Sequence, residues 1–143
     1  MTIDHYSSAT AMLLALEKKE ISSVELTEMP IARISEQDEK LNAIPVKTFD
    51  RARQEAIAAD DALAKGTRAP LLGLPMTLKE STQVEGLPQS AGILDFKDYQ
   101  PASDGLVAAK FADEGFCLLG KTNIPVALGD WHSGIESNAL QSR

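Results

Sequence analysis

Lys79 closes the run Pro70-Leu-Leu-Gly-Leu-Pro-Met-Thr-Leu-Lys79-Glu80, with Gly73 and Pro75 marking the turn that leads in. A strand sends alternate side chains to opposite faces, so Met76 and Leu78 share one face while Thr77 and Lys79 share the other. Burying an unpaired ammonium disfavours its charged form and lowers its pKa. Moving a lysine from about 10.4 to near 7 costs roughly 4–5 kcal/mol. Proteins accept that cost mainly where a neutral amine serves as a base. The plainer reading leaves the amine in solvent as the mark of a strand end. Glu80 beside the amine would raise the lysine pKa, but alternation sends it to the opposite face, which makes it structural. Ser81 shares the Lys79 face, yet neighbours on one face stand roughly 7 Å apart, and no oxyanion donors are evident beside it.

Other residues offer weaker chemistry. Gly115-Phe-Cys-Leu-Leu-Gly120-Lys121-Thr122 matches the phosphate-loop expression G-x-x-x-x-G-K-[ST], which raises a nucleotide-binding alternative. Its four middle residues are bulky and apolar, as in a strand, and Pro125 follows closely. His5 and His132 lack ligand spacing, so no metal is expected, and no cofactor is implied. Cys117, the only cysteine, lies in an apolar run and reads as packing.

The elements that must hold these residues follow from local signals. Ser7 or Ser8 can cap a helix from Ala9 to Lys19, with Met12, Leu13 and Leu16 on one face. Ser22-Ser-Val-Glu25 reads as a capping box for a helix reaching Asp38. Pro30 lies inside it and predicts a kink or break near Met29. Leu41 to Thr48 reads as a short strand that Pro45 confines to an edge. Asp50 to Lys65 predicts a third helix stopped by Gly66. Leu74 to Lys79 is a strand, and Glu85 to Pro101 a loop. Ser103 caps a helix from Asp104 to Glu114 with Leu106, Val107 and Phe111 inward. Phe116 to Leu119 is then a buried strand. Helices alternating with strands favour an α/β sheet.

The segment Leu71 to Glu80, then Val84-Glu-Gly86 and Gln89-Ser-Ala-Gly92, resembles the amidase signature family, as does Asp104 to Asn123 with its closing Gly120-Lys-Thr-Asn123. The resemblance runs from about Ala9 to Trp131. It implies an α/β fold, the N-terminal part of the amidase signature fold, with a mixed sheet flanked by helices. It places Lys79 on the family's catalytic lysine. The implied activity is hydrolysis of carbon–nitrogen amide bonds by a serine nucleophile, a second serine on a cis peptide relaying the proton to the lysine. A Gly/Ser-rich run supplies both serines and the oxyanion amides, and no Gly-Gly-Ser-Ser-Gly pattern occurs in these 143 residues. The expectation is therefore residues 1–131 as an N-terminal portion of an amidase, 132–143 as a divergent tail, and a chain inactive by itself. Pro30 is a second departure from the family's usual residues. Asn123 and Asp130 would help position the absent run, and Trp131 reads as packing.

Composition bounds the partners. A hydrophobic fraction of 43% is ordinary for a globular domain. A formal net charge of −7 argues against nucleic acid and against an anionic membrane surface. The first residues show neither the basic start nor the apolar core of a signal peptide, and the cytoplasm is the expected location. The expected partner is a small-molecule amide substrate of the full-length form. A second, non-enzymatic reading is self-association through exposed sheet edges.

Overall fold

Ser8 carries the first start signal: its Oγ accepts the Ala11 amide at 3.2 Å, and α1 runs from Ala9 to Glu17. Residues 3–129 are described in the computed structural model of this chain. His132, Asp130, Trp131 and the expected tail at 132–143 lie outside the described residues.

The capping box forms completely. Ser22 Oγ accepts the Glu25 amide at 3.1 Å, and the Glu25 carboxylate takes the Ser22 amide at 2.9 Å. Helix α2 follows from Ser23 to Leu41 and passes unbroken through Pro30. Of the kink or break expected near Met29, the break does not occur. Proline removes one amide bond and crowds Leu26, at a cost of about 3 kcal/mol. Leu26 and Ile31, on either side, are 1% and 3% exposed. Burying two such side chains contributes about 1.5–3 kcal/mol each, enough to keep the helix continuous.

The strand expected over Leu41–Thr48 shrinks to β1, Val46–Lys47. Leu41 is instead the last residue of α2, and Asn42 leaves the helix with a left-handed φ of 46°. Asp38 then holds the following segment, taking the Ala43 and Ile44 amides at 2.7 and 3.1 Å and the Lys47 ammonium at 2.5 Å. Those amides are committed to a carboxylate and cannot pair with a strand.

Helix α3, Phe49–Ala64, buries Ala52, Ala56 and Ala59 on one face and stops where Gly66 adopts a φ of 87°. Strand β2 covers Pro75–Lys79, α4 covers Leu106–Asp113 and β3 covers Cys117–Thr122. The intervening 85–101 stretch is loop apart from one 3-10 turn at Leu94–Phe96. The strands form a sheet in the order β1-β3-β2. Val46 faces Lys121 and Lys47 faces Gly120 in antiparallel register. The Cys117 amide donates to the Leu74 carbonyl and the Glu80 amide to the Thr122 carbonyl, so β2 and β3 run the same way. The sheet is mixed, and β1 lies at an edge, as Pro45 predicts.

The described residues divide into two compact units, one of 3–36, 48–76 and 111–119, the other of 37–47, 77–110 and 120–129. In the first, Ile31, Ala52 and Leu119 pack together with Ile34 and Phe49 against them. The Asp60 carboxylate takes the Ser23 and Val24 amides, and Ser23 Oγ donates to the Gly73 carbonyl at 2.8 Å. Gly73 has a φ of 80°, and an added Cβ would stand 2.9 Å from Ser23 Oγ, so the approach requires glycine. The second unit buries Ile44, Leu78, Val84, Ala108 and Ile124. Leu106 and Val107, expected inward, are 77% and 55% exposed, because α4 turns Ala108 to the interior instead. Phe111 does face a partner, its ring lying 5.9 Å from that of Phe116.

Candidate active site

The two charges at the end of β2, Lys79 in the strand and Glu80 just past it, lie on opposite sides. Leu78 is buried, Lys79 is exposed, and Glu80 is fully buried. Lys79 is the last residue of the strand, and its ammonium makes no hydrogen bond or ion pair with any described residue. Glu80 is fixed twice. Its amide donates to the Thr122 carbonyl at 3.1 Å. Its carboxylate accepts the Ser90 amide at 2.5 Å, the Ser90 hydroxyl at 2.9 Å and the Ala91 amide at 3.1 Å. The structural role expected of Glu80 is therefore to hold the segment Ser90–Gly92.

That segment needs holding. Ala91 and Gly92 both adopt left-handed φ, 52° and 73°. Ser90 Oγ accepts the Gly92 amide at 3.1 Å, and a Cβ at Gly92 would stand 2.9 Å from Val126 Cα. Left-handed alanine costs about 1 kcal/mol, and the carboxylate bonds offset it.

Sequence reasoning placed the costly buried lysine at Lys79, whereas the buried lysine is Lys121. It is fully buried, and its Nζ donates to the Pro88 carbonyl. Burial pushes its pKa down from the ordinary 10.5 to about 8, although the Glu80 charge pulls it back up. The physical reason is position: β3 is the central strand, flanked on both edges, and it runs to Thr122 rather than ending at Leu119. The signal that could have found it is the Gly120-Lys121 step itself. A Cβ at Gly120 would overlap the Val46 carbonyl oxygen and stand 2.8 Å from Ile44 Cγ2, so this glycine marks a strand crossing closely over β1 and not a turn.

The same geometry removes the nucleotide-binding alternative. A phosphate loop needs free amides wrapped around an anion ahead of a helix. Here Cys117–Thr122 is a strand, Lys121 is spent on Pro88, and the next element is a 3-10 turn at Val126–Leu128. Asn123 is likewise engaged locally, its Nδ2 donating to the Asn42 carbonyl at 3.0 Å. Ser81 is half-buried, and its carbonyl accepts from Gln89 Nε2. Cys117 is fully buried at 3.7 Å from Ser23 Oγ, and burial pushes its thiol from the ordinary 9.0 up to about 11, as packing requires.

A sequence model described as Amidase matches residues 25–131. A glutamyl-tRNA(Gln) amidotransferase subunit from Thioalkalivibrio sulfidiphilus is 37% identical over 120 residues, which is 84% of this chain and 25% of that protein. A bacterial aryl acylamidase of the amidase signature family superimposes with a TM-score of 0.78 at 31% identity, over 86% of this chain and 26% of that one. The peptide amidase from Stenotrophomonas maltophilia gives a TM-score of 0.78 at 28% identity, over 85% and 26%. The chain thus spans about a quarter of the length of the relatives it matches.

Proposed function

The chain belongs to the amidase family, and from that premise we propose that it carries the lysine arm of a site hydrolysing carbon–nitrogen amide bonds. Lys79 is the base at the end of a proton relay that starts at a serine nucleophile and passes through a second serine. A serine hydroxyl attacks only when a base takes its proton. The supporting observation is the end of β2, where Lys79 is presented outward without a partner among the described residues while Glu80 is turned in. An ordinary lysine in water is neutral in only about one molecule in 2,500 at pH 7, so the working base needs cover from solvent. A serine-bearing segment lying over Lys79 supplies both the cover and the proton donor.

It follows that the 143 residues as they stand do not turn over amides, since they contain no Gly-Gly-Ser-Ser-Gly run. Turnover of a simple anilide by the purified chain that disappeared in Lys79→Ala would overturn this. The base role is tested by placing residues 25–131 in the corresponding stretch of the Stenotrophomonas maltophilia peptide amidase. Hydrolysis by that hybrid should fall roughly 10²–10⁴-fold with Lys79→Ala. An unchanged rate rejects Lys79 as the base.

A second reading, self-association, is supported by the exposure of Leu106 and Val107 and by the position of β2 at the other edge of the sheet. A concentration-independent monomer in light scattering would exclude it. We propose a cytoplasmic location for the chain. No helix among the described residues is long and apolar enough to cross a membrane, and fractionation with an epitope tag tests the location.

A further inference from the structure

We propose that Glu80 and Lys121 are positioning residues for Lys79, two buried opposite charges that grip the segment Pro88–Gly92 and so fix the direction in which the end of β2 presents its lysine. The proposal rests on the reading of Lys79 as the base and deepens it.

Glu80 and Lys121 are both fully buried, and no direct hydrogen bond joins them. They meet through the segment between Pro88 and Gly92. Lys121 holds its first carbonyl, at Pro88, and Glu80 holds the amides of Ser90 and Ala91. Ser90 Oγ relays the grip to the Gly92 amide. The backbone of Glu80 is bonded to β3 at Thr122, immediately after Lys121. Residue 80 is thus immobilised at both its amide and its carboxylate. Glu80 follows the last residue of β2 but keeps the pairing to β3 through its Thr122 bond, so the alternation of the strand carries on to it and an inward Glu80 sets an outward Lys79. Placing two charges in an interior is rarely a gain in stability over apolar residues of the same size. The arrangement is better explained by the orientation it enforces than by the stability it adds.

The test uses the 143-residue chain itself, with lysine labelled in carbon-13. Two signals are followed by NMR at neutral pH: amide exchange at Ser90 and Ala91, and the Cε–Hε resonances of Lys79, assigned by their loss in Lys79→Arg. In Glu80→Gln the carboxamide presents a donor to one of two amide donors and leaves Lys121 without its opposing charge. Exchange at Ser90 and Ala91 should quicken by about 10-fold or more, and the Lys79 resonances should shift or split. Lys121→Met should also move them, since it frees the Pro88 carbonyl. Lys79 resonances that stay in place while the loop amides exchange faster would reduce the pair to a loop anchor and overturn the proposal. Where a single variant does not fold, Glu80→Gln/Lys121→Met, which leaves no buried charge at either position, takes its place with the same expectation. Failure of all three to fold assigns the pair to stability and also overturns it. No amide turnover enters this test. A hybrid amidase indifferent to Lys79→Ala would reject the base role and leave these shifts standing, whereas fixed Lys79 resonances reject only the positioning.

Discussion

The burial of Lys121 should be visible as a rise of stability with pH where most proteins are losing it. Its pKa is 10.5 ordinarily and about 8 in the folded chain. Below pH 8 both states hold the proton, and the full penalty acts on the native state. Between about 8 and 10.5 the unfolded chain holds a proton that the native chain has lost, so raising the pH favours folding. The gap of about 2.5 pH units, at about 1.36 kcal/mol each, amounts to roughly 3 kcal/mol. Cys117 works in the opposite sense. Its thiol ionises at 9.0 when unfolded and about 11 when folded, so between those values the native chain holds the extra proton and stability falls with pH, by about 3 kcal/mol in total. The two effects separate by onset. Only Lys121 acts between about 8 and 9, where stability should climb by about 1 kcal/mol. From 9 to 10.5 they cancel and the curve is flat, and above that it declines. Urea midpoints followed by circular dichroism at constant ionic strength give the curve. Lys121→Met should abolish the early climb and expose the decline from about 9, and Cys117→Ala should let the climb continue to about 10.5. Parallel curves for the wild-type chain and Lys121→Met between 8 and 9 would refute the assignment of a strained ammonium to Lys121.

Further outcomes follow from single contacts. Gly120→Ala should destabilise the chain by about 3 kcal/mol or more, because the new methyl meets the Val46 backbone and cannot be relieved by a side-chain rotation; a urea midpoint within error of the parent would show that β1 yields freely. Ser22→Ala removes the hydroxyl that accepts the Glu25 amide and should cost about 1 kcal/mol, read as a lowered midpoint with an unchanged slope. Pro30→Ala restores the missing amide donor inside α2 and should stabilise by up to about 3 kcal/mol, and a loss of stability would mean that the proline ring is needed for the packing of that helix.

What could be read from the letters was local. Ser22 and Glu25 satisfy each other within one turn, so their spacing alone announces the start of α2. Gly66 ends α3 by its own backbone freedom. The separation of Lys79 from Glu80 needs only the two-residue period of a strand. What could not be read was set by contacts remote in sequence. Asp38 captures the Ala43 and Ile44 amides and so denies them to a strand. Leu26 and Ile31 hold α2 through a proline that local propensity would use to break it. Gly120-Lys-Thr122 has the composition of a turn, yet it is a buried strand because β1 crosses it closely enough to exclude a Cβ. Leu106 and Val107 obey the helical period, but the period fixes only which residues share a face and not which face is covered.

The two lysines show why residue type and neighbourhood alone point to a site without resolving it. Both follow apolar stretches in strands that are adjacent in the sheet. An amine serves as a base only when its environment disfavours the charge, and burial supplies such an environment at Lys121. Yet Lys121 cannot reach a substrate, since it is fully enclosed and its Nζ is bonded to Pro88. Lys79, by contrast, is exposed at the end of its strand. The proposed base role at the end of β2 therefore calls for a further segment to cover Lys79. Under the proposed positioning, the Glu80 and Lys121 contacts hold the backbone from which Lys79 projects, while ordering the lysine side chain itself would fall to the segment that covers it.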